Sequence, residues 1–417
     1  MSANSALAAF RTRSFLFQWP ADLCTAWALE METLILGWYV LVETGSVVML
    51  TVFGSLLFIG TLVSPLLGVL GDRLGLRNVL AAMRLWYTLF AAVILFLALT
   101  RQLDPTLVLV VAAMSGLVRP MDIGIRSALV GATVPPDHLV AAMGISRTTH
   151  DSARVGGALA GAGFMTTFGM APAYLAITSI YLVGALLTLL TDGRPGSRPL
   201  QPAHPATARP SPWRDLQEGL AYIWQTPRLC AVMSLAALVN LTAFPLTNGL
   251  MPYIAREVFQ LDQRGLGWLV ASFAVGALIG SMGLSLFGTQ VRPARTMIAT
   301  CAAWHLCLVG FALSTSLPVA MGLLVLAGAA QSLSMVTLSI ILLRTAEQRF
   351  RGRIMGVRML AIYPLPLGLL LAGAMIPRVG YQTTAMGFVV SGLLLTLVIA
   401  VTWRDDLIRH DAIGNAV

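Results

Sequence analysis

Residues 68–78 read GVLGDRLGLRN and separate two long apolar runs. The run before this segment, 47–67, contains no charged residue, and the run after it, 79–100, contains only Arg84. A membrane-spanning helix needs about 20 predominantly apolar residues, so each run is long enough to cross a bilayer. The segment between the runs combines three glycines with one aspartate and two arginines, which predicts a tight turn at a membrane surface.

The composition of the whole chain favours a membrane protein over a soluble one. Of its 417 residues, 57% are hydrophobic and 11% are charged, whereas soluble domains carry about 25% charged residues. Single hydrophobic cores stop growing near about 250–300 residues, so one soluble core could not bury this much apolar surface. We therefore predict an all-α integral membrane protein.

Twelve apolar segments are long enough to be transmembrane helices, and most are separated by Gly, Pro or charged residues. The predicted spans are 16–42, 46–71, 78–100, 105–133, 139–168, 171–191, 229–254, 265–288, 296–315, 318–343, 355–377 and 381–403. Glycine pairs in the fifth span (Gly157, Gly161) and the eighth (Gly276, Gly280) have the small-x-x-x-small spacing that permits close helix packing.

The arginines fall mainly in alternate loops, which indicates how the chain is oriented. If both termini are cytoplasmic, seventeen of the 27 basic residues, all arginines, lie on the cytoplasmic side. Only Arg101, Arg256, Arg264 and Arg378 lie outside. The positive-inside rule therefore predicts cytoplasmic termini. The same distribution accounts for the net charge of +9, so we do not expect a nucleic-acid partner.

Residues 192–212, which read DGRPGSRPLQPAHPATARPSP, divide the twelve spans into two sets of six. Their Pro, Ala and Arg content, without a periodic apolar pattern, predicts a disordered cytoplasmic linker. We thus predict an N-terminal six-helix bundle at 1–191 and a C-terminal part at 213–417. That part opens with apolar residues at spacings of three and four, which predict a short helix on the inner leaflet; the alternative is a plain extension of the seventh span. They are Trp213, Leu216, Leu220, Ile223 and Trp224.

The segment 68–78 resembles the loop between the second and third helices of the major facilitator superfamily, whose pattern is roughly G-x-x-x-D-R-x-G-x-R. The spacing matches at Gly68, Asp72, Arg73, Gly75 and Arg77. The resemblance implies two six-helix bundles around a central cavity and secondary transport by alternating access. It also implies a latch in which Asp72 meets the positive end of the eleventh helix and holds the outward-open state. The alternative is a basic loop that only sets topology.

Three other features resemble the bacterial exporters of drugs, macrolides or siderophores in that superfamily. They are the tryptophan-rich first span, the residues Arg119, Pro120 and Arg126, and the sequence RFRGRIMGVRM at 349–359. This resemblance implies a bacterial inner (plasma) membrane protein that exports a small organic molecule in exchange for protons. The alternatives are an importer of an organic anion and a non-transporting membrane assembly factor.

The fourth and fifth predicted spans carry charged residues that are costly inside a membrane. They are Arg119, Asp122 and Arg126 in the fourth span and Arg147, Asp151 and Arg154 in the fifth. Steps of three and four residues place each set on one helix face. One interpretation is a structural ion-pair network coupled to the latch, and the resemblance implies that Asp122 belongs to this relay. The other is that the surplus positive charge binds an anionic group of the substrate.

The first predicted span contains three acidic residues, Asp22, Glu30 and Glu32. A carboxyl group in apolar surroundings favours its protonated form and can carry a proton. The candidates for proton coupling are therefore Glu32 or Glu30, then Asp22, together with Asp151 of the fifth span. Glu30 and Glu32 point about 200° apart on a helix, so both cannot face one cavity. The alternative is that one of the three pairs with an arginine such as Arg84.

Polar and aromatic residues elsewhere are candidates for a substrate cavity. Besides Arg119, Arg147 and Arg154, they are Trp27, Asn240, Asn248 and Gln331. The amides could equally form hydrogen bonds between helices. The four cysteines and five histidines are scattered, and no metal-site spacing, Walker sequence or nucleophile motif occurs. We therefore expect no enzyme activity, cofactor or metal, and a monomer whose partners are a small-molecule substrate, protons and the lipid bilayer.

Overall fold

The structure is a computed structural model that describes residues 10–61, 74–191, 212–287, 292–347 and 350–407. These residues are almost entirely helical, and no strand occurs in the described ranges. The predicted linker lies outside them except for its last residue, Pro212. Three of the predicted latch residues, Gly68, Asp72 and Arg73, also lie outside.

Six α-helices lie in the described residues of the first half of the chain. They are α1 (Arg13–Thr44), α2 (Val47–Leu56), α3 (Leu76–Leu99), α4 (Pro105–Thr133), α5 (Pro136–Phe168) and α6 (Met170–Leu189). Local chemistry sets several of these boundaries. The Asp104 side chain accepts a hydrogen bond from the backbone N–H of Thr106 at 2.8 Å and so caps α4. Gly75 precedes α3 with a φ of 82°, a backbone conformation that favours glycine.

Eight α-helices of ten or more residues are described in the second half. They are α7 (Pro212–Gln225), α8 (Pro227–Thr242), α9 (Gln263–Phe287), α10 (Pro293–Leu313), α11 (Leu317–Thr345), α12 (Arg351–Leu360), α13 (Pro364–Val379) and α14 (Tyr381–Thr402). After α8 the chain continues through two π-helical turns, Pro245–Gly249 and Ile254–Val258. The prolines at 245 and 252 lack a backbone N–H, so the regular α-helical ladder cannot continue there. The predicted eleventh span is likewise divided into α12 and α13 just before Pro364.

Ten helical segments in the described ranges are long and apolar enough to cross a membrane, so the chain is a multi-pass helical membrane protein. They correspond to ten of the twelve predicted spans. The predicted second span is described only as far as Thr61, as α2 and a 3₁₀ turn at Ile59–Thr61. The predicted fifth span corresponds to α5, which has 33 residues but carries Arg147 and Asp151 within it. The number twelve therefore stays a prediction.

The predicted short helix after the linker is present as α7. Its residue Trp224 is 82% exposed, whereas Ile223 is 6% exposed, so one face packs against protein and another does not. The buried face includes Tyr222, whose ring stacks on Phe350 with the ring centres 4.3 Å apart. This helix is therefore a separate element docked near the start of α12, and its position on the inner leaflet stays a prediction.

The helices are grouped into two compact units. The first comprises Met1–Tyr39 and Leu56–Pro210, and the second comprises Val40–Ser55 and Ser211–Val417. Within the second unit, the side chain of Arg256 donates a hydrogen bond to the carbonyl oxygen of Leu41 at 2.9 Å. The hydroxyl of Ser55 donates to the carbonyl oxygen of Pro366 at 3.2 Å. The end of α1 and most of α2 therefore pack with helices from the second half of the chain.

Glycines allow α5 to pack directly on α1 within the first unit. A Cβ atom on Gly161 would lie 3.0 Å from the Cα of Met31, and one on Gly157 would lie 3.0 Å from the carbonyl oxygen of Trp27. In the second unit, a Cβ on Gly280 of α9 would lie 3.0 Å from the Cα of Ala329 in α11. The predicted close packing at both glycine pairs is confirmed.

The Gly161→Val substitution should destabilise the first unit. Its side chain would force α1 away from α5, and overpacking of this kind costs about 1–3 kcal/mol. We expect a lower melting temperature for the purified protein in detergent, followed by size-exclusion chromatography. Gly163→Val is the matched control, because no atom lies within 4 Å of a Cβ built at Gly163. Equal melting of the two variants would contradict the packing argument.

Candidate functional site

Asp22 of α1 forms an ion pair with Arg84 of α3. Both side chains are buried, at 5% and 0% exposure. A second nitrogen of the Arg84 guanidinium donates a hydrogen bond to the hydroxyl of Thr188 in α6. Three helices are thus joined by one buried polar cluster. Asp22 is the acidic residue of α1 that pairs with Arg84, as the alternative interpretation of the first span proposed.

Glu32 lies ten residues further along α1 and has a different partner. Its side chain is 8% exposed, and its Oε2 accepts a hydrogen bond from the Tyr181 hydroxyl of α6 at 2.8 Å. The Tyr181 ring lies 5.6 Å from that of Tyr87 in α3, measured between ring centres, and both tyrosines are buried. Arg119 is close enough to Glu32 to interact electrostatically, without forming an ion pair.

Glu30 faces away from Glu32, as their spacing of two residues requires. It is half-buried, and its Cβ lies 2.8 Å from the position a Cβ on Gly157 would occupy. Glu30 therefore faces α5, while Glu32 faces α6. Among the three acidic residues of the predicted first span, Glu32 is the one that is both buried and bound by a neutral donor rather than an arginine.

The charged residues along one face of α4 contact more than one neighbouring helix. The Nη1 of Arg119 donates a hydrogen bond to the hydroxyl of Thr33 in α1 at 2.9 Å. The backbone carbonyl of Arg126 accepts one from the Gln18 side chain at 3.1 Å. Asp122 is 3% exposed, and its Oδ1 has no hydrogen-bond partner within the described part of the chain. Asp122 also acts electrostatically on Tyr87, so it faces α3.

The charged stripe of α5 meets that of α4 around His150. Arg147 and Asp151 form an ion pair of 3.1 Å within α5, with the Asp151 side chain 2% exposed and that of Arg147 50% exposed. His150 lies within electrostatic range of four arginines, two from each stripe. These are Arg126, Arg154, Arg147 and Arg119. The structure therefore brings the two predicted stripes together.

The remaining predicted cavity residues are distributed over both units. Trp27 is 36% exposed, and its indole packs on Gly156 of α5. In the second unit, the Asn240 amide donates to the carbonyl oxygen of Ala236 at 2.8 Å, one turn earlier in its own helix. Gln331 is buried in α11, and Asn248 lies in the first π-helical turn. Of these four residues, Trp27 belongs to the first unit, which also contains the predicted arginines, and the three amides belong to the second.

Two of the five latch residues predicted in segment 68–78 fall within the described ranges. Gly75 immediately precedes α3 in a conformation that favours glycine. Arg77 lies in the first turn of α3, and its Nη1 donates a hydrogen bond to the carbonyl oxygen of Thr191, just beyond the end of α6, at 3.4 Å. This contact joins the start of α3, at the end of the predicted loop, to the end of α6.

Sequence reasoning missed the hydroxyl groups that complete this site. Tyr181, Tyr87, Thr188 and Thr33 all lie in or beside the buried polar cluster. A tyrosine or threonine in an apolar span gives little signal, since both residues also pack as ordinary membrane side chains, and a threonine can bond to its own helix backbone. The usable signal was that Tyr181 lies near the middle of α6, far from the membrane surfaces where tyrosines are enriched.

Several long apolar helices enclose one buried ion pair between helices, Asp22–Arg84, and one buried carboxyl group, Glu32, bound from another helix by Tyr181. This arrangement is that of a polytopic membrane protein. Residues 4–415 match the family model described as transmembrane secretion effector, which is part of the major facilitator superfamily. The chain therefore belongs to a family of membrane transporters.

Curated relatives of the chain are efflux proteins of low identity. The multidrug efflux pump Tap of Mycolicibacterium fortuitum is 27% identical over 186 residues, which cover 43% of this chain and 44% of that protein. Tap of Mycobacterium tuberculosis strain H37Rv is 28% identical over 247 residues, 58% and 57% of the two chains. Macrolide efflux protein A of Streptococcus pyogenes is 24% identical over 288 residues, 66% and 68%. The match thus spans about half the length of the Tap proteins.

Solved structures of transporters share the fold. The nucleoside transporter NupG superposes with a TM-score of 0.73 at 14% identity, covering 94% of this chain and 99% of that one. A bacterial homologue of the human lysosomal transporter Spinster, in an inward-facing and unoccupied conformation, gives 0.70 at 13% identity, covering 95% and 98%. These identities are low, so the likeness concerns the fold alone.

Proposed function

We propose that this protein is a proton-coupled exporter of a small organic molecule, working by alternating access of two six-helix bundles. The observation that carries the proposal is Glu32, a carboxyl group buried in α1 and bound by the Tyr181 hydroxyl at 2.8 Å. Burial disfavours the charged carboxylate, whereas a hydrogen bond donated to it favours that form, so a change of surroundings can shift the balance. A group of this kind can take up a proton on one side and release it on the other.

The energy available from one proton is sufficient for export against a gradient. A membrane potential of 100 mV supplies roughly 2.3 kcal/mol for each charge moved across the membrane, and each 1.4 kcal/mol corresponds to about a tenfold concentration ratio. Tyr181 would hold the Glu32 side chain in place in both protonation states, because its hydroxyl can donate to the carboxylate or accept from the carboxylic acid.

Export rather than import is supported by the relatives, a multidrug efflux pump and a macrolide efflux protein. A non-transporting assembly factor is disfavoured, because buried ion pairs such as Asp22–Arg84 are costly in a membrane and a passive scaffold does not need them. The proposal includes twelve spans, cytoplasmic termini, a bacterial inner-membrane location and a monomeric state.

The direct test uses purified protein in proteoliposomes with an imposed pH gradient and ethidium as the transported probe. We expect ethidium movement that depends on the protein and collapses when a protonophore removes the gradient. In parallel, a deletion strain should gain susceptibility to toxic compounds in a broad panel. Absence of both probe movement and any change in susceptibility would refute the transport proposal.

The predicted latch gives a second test of alternating access. Asp72→Asn should lower the transport rate several-fold while leaving probe binding unchanged, because the carboxylate would stabilise one conformation by meeting a helix N-terminus. The rate is measured in proteoliposomes and binding by equilibrium titration. Asp104→Asn is the matched control, since Asp104 caps α4 outside the predicted latch. A normal transport rate in Asp72→Asn would count against the latch.

A further inference from the structure

Two arginines within the predicted fourth span, Arg119 and Arg126, form no ion pair in the described ranges. Arg119 is the midpoint of α4, fourteen residues from Pro105 and fourteen from Thr133, and Arg126 follows two turns later on the same face. Within the described ranges, no carboxylate lies at ion-pairing distance from either guanidinium. The arginines at 84 and 147 differ, because each forms an ion pair, with Asp22 and Asp151 respectively.

None of the nearby acidic residues in the described ranges forms an ion pair with these two arginines, including Asp122, which is buried between them on the same face of α4. Asp22 acts on Arg126 only at longer range and is already bound to Arg84. Glu32 acts on Arg119 at longer range and is bound to Tyr181. The direct side-chain contact of Arg119 is the neutral hydroxyl of Thr33 at 2.9 Å. When Glu32 is protonated it carries no charge, so it no longer offsets the positive charge of Arg119.

An unpaired guanidinium in a membrane interior is costly, so its charge should be neutralised in some state of the transport cycle. Both arginines are half-buried and therefore not sealed within the unit. His150 lies within electrostatic range of both and adds a polar ring, whose Nδ1 has no hydrogen-bond partner in the part of the chain that the structure describes. A guanidinium binds a carboxylate or phosphate through two parallel hydrogen bonds.

We propose that Arg119 and Arg126, with His150 beside them, bind an acidic group of the transported molecule, so that the substrate class is organic anions or zwitterions bearing a carboxylate or phosphate. This inference rests on the proposed transport function and specifies its substrate. Trp27, partly exposed and packed on α5, supplies an aromatic surface for the apolar part of such a molecule.

The same chemistry could be supplied by a lipid phosphate instead of a transported solute. The test therefore uses vesicles of phosphatidylcholine, which carry no net charge, and repeats the measurement after addition of phosphatidylglycerol. Counterflow of carboxyfluorescein, an organic anion, is compared with counterflow of ethidium, a cation, for the native chain and for Arg119→Gln, Arg126→Gln and the double variant.

We expect carboxyfluorescein counterflow in phosphatidylcholine vesicles, with an apparent affinity that falls about tenfold or more in the double variant, as loss of a charge-assisted hydrogen bond predicts. Arg119→Lys should retain part of the affinity, because it keeps the charge but loses the paired geometry. Arg214→Gln is the control, since that arginine is 74% exposed on α7 and bound to Glu218. Retained ethidium counterflow or an unchanged size-exclusion profile shows that a variant is folded.

Three outcomes would overturn the inference while leaving the transport proposal in place. One is ethidium counterflow without any binding or transport of carboxyfluorescein, which leaves the transporter proposal intact. Another is carboxyfluorescein transport that the double substitution does not alter. The third is stabilisation of the native chain, but not of the double variant, by phosphatidylglycerol alone, which would assign the arginines to lipid. Counterflow of neither probe would refute the transport proposal together with the inference.

Discussion

Glu32→Gln should abolish proton-driven transport while leaving substrate counterflow intact. Glutamine keeps the size and hydrogen-bonding capacity of the side chain, so it can still accept from the Tyr181 hydroxyl. It cannot take up or release a proton. The measured quantities are probe uptake driven by a pH gradient and probe exchange without a gradient, both in proteoliposomes. We expect the first to fall to background and the second to stay close to that of the native chain.

Two acidic residues on the same helix provide matched controls for this experiment. Glu43 is exposed near the end of α1, so Glu43→Gln should leave both quantities unchanged. Glu30 is half-buried against α5 and has no bond to Tyr181, so Glu30→Gln should retain gradient-driven transport. Tyr181→Phe should slow the driven reaction without abolishing it, because the carboxyl group itself remains. Full pH-driven transport in Glu32→Gln would remove Glu32 from the mechanism, and loss of coupling only in Glu30→Gln would transfer the role to that residue.

Much of the architecture could be predicted from the sequence because the bilayer imposes a simple rule on it. A helix that satisfies all its own backbone hydrogen bonds is one of two structures that can cross a membrane, so apolar runs such as 79–100 specify helices directly. The same rule does not specify irregular backbone. The π-helical turns after α8 depend on where Pro245 and Pro252 interrupt the helix and on how the neighbours satisfy the freed carbonyl groups.

The site could be predicted only as separate stripes. Helical spacing placed Arg119, Asp122 and Arg126 on one face, but it could not say which neighbour each residue meets. Asp22, rather than either glutamate, pairs with Arg84 because of how α1 is rotated against α3 and α6, and that rotation depends on side-chain packing between distant segments. The bond between Tyr181 and Glu32 joins residues 149 positions apart, and no local pattern in either helix indicates it.

Removing one partner of the Asp22–Arg84 pair should destabilise the protein more than removing one partner of any other ion pair in the described ranges, because both side chains are buried. Removing one partner leaves an uncompensated charge in a water-poor interior, which costs about 3–5 kcal/mol. We therefore expect Arg84→Met to lower the melting temperature strongly and to reduce the yield of folded protein. Asp22→Asn should do the same, although asparagine can still accept one hydrogen bond from the guanidinium.

The double variant Asp22→Leu with Arg84→Met tests whether the ion pair itself stabilises the protein. Two apolar side chains of similar volume leave no charge unpaired, and such replacements of buried ion pairs are often neutral or stabilising. We expect the double variant to melt close to the native chain, with a coupling energy of several kcal/mol in the double-mutant cycle. The exposed pair Arg214–Glu218 serves as the control cycle, whose coupling should be below about 1 kcal/mol. If the double variant is as unstable as Arg84→Met, then the hydrogen bond from Arg84 to Thr188, which joins α3 and α6, contributes more to stability than the ion pair.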